Sequence, residues 1–230
     1  MRIIEPGYKI ISYDDAVQTY TKIENAARTC YKSANQGVRD PETGAISEND
    51  LTNLVSTSKL VSNLIKNSHE AMLEHATMTV LFVVDRGISH EIVRHRMASF
   101  AQESTRYCNY SQDKFGKEIT VIKPFYLEQD TKDYSVWYWA MKECEHAYFT
   151  LLQMGYSPEK ARCVLPTSLK TELVMTANMR EWRHFFKLRA AGETGKPHPQ
   201  MLEVAVPLLK ECQQKFPILF SDIVPMEEVK

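Results

Sequence analysis

The 230-residue chain has only eight glycines, and no GxGxxG string occurs among them. That argues against the usual strand–turn–helix crossover for a dinucleotide, which needs glycine at three fixed positions. The five cysteines, Cys30, Cys108, Cys144, Cys163 and Cys212, are odd in number and include no CxxC pair. A zinc ribbon and a disulfide framework are therefore disfavoured, and a reducing compartment, the cytoplasm, fits best. No stretch approaches the roughly 20 apolar residues of a membrane span. The opening residues, MRIIEPGYKIIS, lack the apolar run of a signal peptide. An excess of charge of one sign is also missing: 28 Lys and Arg against 29 Asp and Glu leave −1. Composition gives no global electrostatic case for nucleic acid or an anionic membrane.

What is present suits one globular domain, with 43% hydrophobic and 25% charged residues. Residues 3–12 read as a short strand. A helix runs from a cap at Asp14 or Asp15 to about Lys32, with Ala16, Tyr20, Ile23, Ala27 and Cys30 on one face. Residues 34–47 read as a loop, and Ser47 opens a weak capping signal for a helix ending near Lys66. TMTVLFVV, residues 77–84, is the strongest strand signal. A turn at Asp85-Arg86-Gly87 and a helix over about Ser89–Arg96 follow. Further strands are expected over 119–123 and 170–177. Helices are expected over 132–154, with Trp137, Ala140, Cys144 and Ala147 inward, and over 158–163, 179–189 and 199–214, the last broken or kinked near Pro207. Helices mixed with few strands argue for a single α+β domain, a small mostly antiparallel sheet with flanking helices.

The chemistry concentrates in SHEIVRHRMASFAQESTRY, from Ser89 to Tyr107. On a helix, Arg94, His95 and Arg96 would splay over about 200° and could not share one solvent stripe. Arginine is costly to bury without an anion and binds phosphate in a bidentate way. Ser99, Ser104 and Thr105 add neutral donors. Two blander readings stand beside a phosphate cradle. One is a solvated basic helix paired to Glu91 and Glu103. The other is a nucleic-acid surface using Arg94–Arg106 with Tyr107 and Tyr110 for stacking.

The spacing narrows the choice. Arg94-His95-Arg96, seven residues and Ser104 form RHRx7S, and the string from His90 to Tyr107 resembles the signature of flavin-dependent thymidylate synthases. His69-Glu70-Ala71-Met72-Leu73-Glu74-His75 occupies that family's HExxxEH position. Ala161–Pro166 resembles its ARxVLP block, and Asn178-Met179-Arg180 and Leu188-Arg189 match its N-x-R and L-R elements.

The resemblance implies an activity, cofactors and an assembly. Family members convert dUMP to dTMP with a one-carbon unit from 5,10-methylenetetrahydrofolate, releasing tetrahydrofolate. The hydride comes from FAD reduced by NADPH, and the proteins are homotetramers with active sites between subunits. By position, Arg94, His95, Arg96, Asn178, Arg180 and His184 are expected to hold FAD, with His69 and the Ala71 backbone nearby and Gln102 touching both FAD and dUMP. Ser104, Thr105, Arg106 and Arg162 are expected to hold dUMP, with Arg94, Gln102 and Glu103 beside it. Glu91 stands where some members carry a glutamine that touches dUMP, so it is expected to orient an arginine instead. Arg189 is expected to activate the uracil by placing charge where charge develops. No metal is expected. His69 and His75 are six residues apart, about 240° round a helix, not the i, i+4 of zinc proteases. His75 reads as a buried, hydrogen-bonded histidine. Ser104 reads as a binding residue and Cys108 as inert.

Overall fold

The computed structural model describes residues 1–32 and 50–226. The expected loop over 34–47 and the Ser47 capping signal lie outside them. In chain order the elements are β1 (Arg2–Ile4), β2 (Gly7–Tyr13), α1 (Ala16–Tyr31), α2 (Asp50–Lys66), β3 (Thr77–Asp85), α3 (Arg86–Ile92), β4 (Ala98–Gln102) and β5 (Thr120–Ile122). They continue as α4 (Lys132–Gln153), α5 (Pro158–Ala161), β6 (Lys170–Asn178), α6 (Met179–Arg189), α7 (Pro199–Lys215) and α8 (Pro217–Phe220). Short 3-10 turns cover Glu70–His75, Asp113–Phe115 and Arg162–Val164.

The main sheet has the order β2-β3-β6-β4, with every neighbouring pair antiparallel. A second, two-stranded sheet pairs β1 with β5 in parallel. The fold is thus α+β, with a mostly antiparallel sheet and flanking helices. The single strand expected over 3–12 is two strands in different sheets. They part at Glu5-Pro6, where proline cannot donate to a ladder.

β3 alternates as a half-buried strand should, with Met78, Val80, Phe82 and Val84 inside. β6 answers with Leu173, Met175 and Ala177. α6 lays Trp182, Phe185 and Phe186 on this face, and the Trp182 indole donates to the Met78 carbonyl at 3.0 Å. Each such side chain, fully buried, contributes about 1.5–3 kcal/mol. α1 starts on a capping box, Asp15 accepting from the Gln18 backbone and Gln18 answering the Asp15 N–H. Cys30, expected on the inner face of α1, is exposed near the helix end.

α4 departs from expectation in which residues it buries. Met141 and Tyr148 are its buried residues, Ala140 is exposed, and Trp137, Cys144 and Ala147 are half-buried. The helix covers only a small second core around Tyr110, Ile119, Val121 and Leu169, so one narrow stripe suffices. α7 runs through Pro207 without interruption. Only the bond from position 207 to the Glu203 carbonyl is forfeited.

Glu203 itself carries a testable consequence. One carboxylate oxygen is buried and, among the described residues, has no hydrogen-bond partner. Burial, reinforced by Glu5 and Asp85 and only partly offset by Lys123, pushes its pKa up to about 7. A folded pKa above the unfolded value gives stability that is full below the unfolded pKa and is lost as pH rises through about 7. Glu203→Gln removes that loss. It is expected to stabilise the protein by about 1–3 kcal/mol at pH 8 while changing little at pH 4.5. Urea melts at the two pH values check this; an equal change at both would rule it out.

Candidate active site

The arginine segment is built differently from the helix expected over Ser89–Arg96. Asp85 caps α3, its carboxylate accepting from the Ile88 backbone at 2.8 Å, so the helix starts three residues early and ends at Ile92. The expected turn at Asp85-Arg86-Gly87 is this cap. Arg94, His95 and Arg96 lie on the link into β4, a strand the sequence reading did not anticipate. Arg94 and Arg96 are exposed, and His95 between them is buried. Among the described residues, neither the Arg94 nor the Arg96 guanidinium makes an ion pair. The arginines also do not form one continuous basic stripe, because Arg106, ten residues beyond Arg96, is paired to Glu159 at 2.7 Å.

His95 joins this link to α6. Its Nδ1 lies 2.9 Å from the Glu181 carboxylate, and its Nε2 faces the Arg189 Nε at 3.2 Å. Phe185 and His184 pack edge-on against the ring. Burial first, then the charges of Arg189 and His184, lower the His95 pKa to about 4. The ring is therefore neutral near pH 7, and its contact with Glu181 is a hydrogen bond rather than an ion pair. Arg189 also meets the Glu91 carboxylate at 2.6 Å and the Glu91 carbonyl at 3.2 Å. Of the five N–H donors of a guanidinium, two remain for a ligand.

Below α6 opens a cleft of about 520 Å³, lined by Met97, Asn178, Arg180, Glu181, His184 and Lys187, with Glu70, Glu74 and Glu193 at its acidic side. Asn178 caps α6 by accepting from the Glu181 N–H at 2.9 Å, which leaves its amide nitrogen available. Arg180 reaches Glu74 at 2.6 Å across an exposed gap, a contact worth little in water that a better anion could displace. His69 and Ala71 are exposed and do not line this cleft. His75, expected to be buried, is exposed at the end of its 3-10 turn.

The remaining site candidates form a second group. Arg162 donates to the Thr105 hydroxyl at 3.4 Å, and Ser104 starts the turn that carries Arg106. Gln102 gives its amide to Ser89 at 2.8 Å and to Thr171 at 3.3 Å. Glu103 points elsewhere, to Lys170 at 3.0 Å and the Tyr110 hydroxyl at 3.3 Å. Burial, then Glu103, holds the Cys108 thiol above its usual range, the reverse of an activated nucleophile.

Glu181 and Arg183 were missed in the sequence. The signal for Glu181 was present, since Asn178-x-x-Glu181 is a helix-start pattern. Nothing in the pattern distinguishes a surface arginine from Arg183, which is fully buried.

Comparison with known proteins fits this geometry. A family model described as Thymidylate synthase complementing protein matches residues 9–218. The flavin-dependent thymidylate synthase of Geobacter sulfurreducens is 32% identical over 201 residues, covering 87% of this chain and 80% of that one. That of Pyrococcus furiosus is 34% identical over 173 residues, covering 74% and 66%. A UMP/dUMP methylase, PolB from Streptomyces cacaoi, solved with 5-Br dUMP, superposes with a TM-score of 0.73 over 96% of both chains. At 20% identity it shows a shared fold. The RHRx7S segment, the cleft beneath α6 and these matches together place the chain in the family of flavin-dependent thymidylate synthases.

Proposed function

We propose that this chain converts dUMP to dTMP, taking the one-carbon unit from 5,10-methylenetetrahydrofolate and releasing tetrahydrofolate, with NADPH as reductant. The observation that carries the reading is a pair of exposed arginines, Arg94 and Arg96, that make no ion pair among the described residues and flank a buried histidine that hydrogen-bonds Arg189.

The residues present fit FAD. Arg94 and Arg96, exposed and without an ion pair among the described residues, can pair with a pyrophosphate. Asn178, Arg180 and His184 share one cleft. Reduced FAD supplies the hydride that turns the transferred methylene into a methyl. In this reading Arg94, His95, Arg96, Asn178, Arg180 and His184 hold that cofactor. His69 and Ala71 fit only where a second subunit brings the cofactor to them. Ser104, Thr105, Arg106 and Arg162 hold the nucleotide phosphate, and the Gln102 carbonyl remains to accept. Glu103 is spent on Lys170, so its role toward dUMP is to fix the segment carrying Ser104. Arg189 offers its two remaining N–H donors to the uracil, where they stabilise negative charge and make C5 more nucleophilic.

A homotetramer with sites between subunits is part of the proposal. Val136 and Trp139 on α4 are more than half exposed, as an uncovered contact face would be. A cytoplasmic location is proposed on the five free cysteines. Among the described residues no helix is long and apolar enough to cross a membrane.

The purified protein is expected to be yellow, or to become so with added FAD. dTMP is expected only when dUMP, methylenetetrahydrofolate, NADPH and FAD are all present. A protein that takes up no FAD, or product formed without NADPH, would refute the reading.

A further inference from the structure

Glu181 lines the cleft beneath α6 without a role assigned so far, and through His95 it reaches the residue proposed to activate the substrate. Arginine has no acceptor atom. The contact between Arg189 Nε and His95 Nε2, at 3.2 Å, can therefore be a hydrogen bond only if Nε2 carries a lone pair. In a neutral imidazole the proton is then on Nδ1. Nδ1 lies 2.9 Å from Glu181 Oε1, so it donates there. We propose that Glu181 is a positioning residue: by accepting from His95 Nδ1 it fixes the tautomer that lets His95 Nε2 hold Arg189 in its working orientation.

The chain of contacts is Glu181, His95, Arg189, and Glu91 clamps the far side of the guanidinium through NH1 and NH2. Without Glu181 the Nδ1–H would lose its buried acceptor, and the proton would no longer be held away from Nε2. Two donors would then face each other at 3.2 Å, and Arg189 would have to swing away. A buried donor left unmatched is costly, and the Glu181 carboxylate is the acceptor that removes that cost on Nδ1. Glu181 is well placed for the task, being buried on the first turn of α6, with its backbone fixed by the Asn178 cap. The same tautomer bears on a second possibility. His95, Glu181 and His184 have ligand atoms within 4.8 Å of one another, a spacing that could hold a metal ion. A metal on Nδ1 would force the proton onto Nε2, against Arg189, so the hydrogen-bonded reading is the consistent one.

The inference rests on the proposed function only for its kinetic arm. The first experiment is independent of turnover: nitrogen-15 NMR of the histidine rings in the unliganded protein. His95 is expected to be the Nδ1–H tautomer in wild type and in Glu181→Gln, whose amide oxygen still accepts. It is expected to be the Nε2–H tautomer in Glu181→Met. An unchanged tautomer in Glu181→Met overturns the proposal. In the kinetic arm, Glu181→Met is expected to lower kcat about 10- to 100-fold with flavin retained and the dUMP KM within about threefold. Glu181→Gln is expected to restore most of that loss. In an Arg189→Ala background, Glu181→Met is expected to add nothing, because the residue it positions is gone. A full additional loss there would assign Glu181 a merely structural role and overturn the proposal. Absence of dTMP formation in wild type would refute the functional reading instead, leaving the tautomer result standing.

Discussion

Arg189→Ala is expected to cut dTMP formation about 100- to 1,000-fold while the protein keeps its flavin, the scale seen when one preorganised charge-stabilising donor is removed. The reasoning starts from how the side chain is held. Three of its N–H donors are committed to protein acceptors, and the protein atoms that hold it come from two directions, Glu91 on α3 and His95 on the link after it. An arginine fixed at both edges need not reorganise when charge develops on a ring in front of it, which is where such a residue gains its effect. Alanine removes the charge and the fork together. Arg189→Lys separates them: it keeps a cation but cannot span His95 and Glu91 at once. Its turnover is expected to remain at least about tenfold below wild type. Steady-state rates with saturating dUMP, alongside the flavin absorbance of each variant, give the result. Turnover in Arg189→Ala within a few fold of wild type would remove Arg189 from the chemistry.

Much of this fold was legible because the long elements carry strong local signals. β3 has an unbroken apolar and β-branched run, and α6 was bounded correctly by Asn178 at its start and Arg189 at its end. The errors share a cause. The residues of Arg94–Arg96 carry a propensity that permits a helix, and sequence alone predicts one there. The competing demand was tertiary: Ala98–Gln102 had to extend to pair with Leu173–Ala177, and the chain had to leave the helix to reach that edge. Cross-strand pairing of this kind leaves no periodic trace in five residues. On α4 the helix itself stands where expected and only its inward face differs, because the small second core takes one narrow stripe through Met141 and Tyr148. The candidate site residues come from family resemblance, as a list of expectations. Its wiring was not, because the Glu181 to His95 contact joins residues 86 positions apart.

Arg183→Met is expected to produce the largest loss of stability, about 3 kcal/mol, or roughly 6–12 °C in Tm for a chain of this size. Arg183 is buried, and its guanidinium meets Asp222 through two bonds of 2.7 Å, Glu70 at 3.1 Å and the Leu219 carbonyl. Methionine keeps much of the volume, so the loss comes from stranded partners rather than a cavity. Asp222 is half exposed and can return to water, which places the effect at the lower end for a broken buried pair. The pH dependence gives an independent check. Burial alone would raise the Asp222 carboxyl, but its hydrogen bonds and charge contact with Arg183 outweigh that and hold it below its ordinary range. A depressed folded pKa gives stability that is present above the unfolded pKa and lost as pH falls through the folded one. The gap between wild type and Arg183→Met should therefore be full at neutral pH and narrow in acid. These contacts tie α6 both to the Glu70 turn and to the segment after α8, so the variant also tests whether Arg189 depends on that anchoring. If α6 stays in place, Arg183→Met should keep its kcat at a temperature well below its own Tm. A melting temperature within about 2 °C of wild type, or a gap that does not shrink at low pH, would show that the buried pair does not hold α6 in the fold.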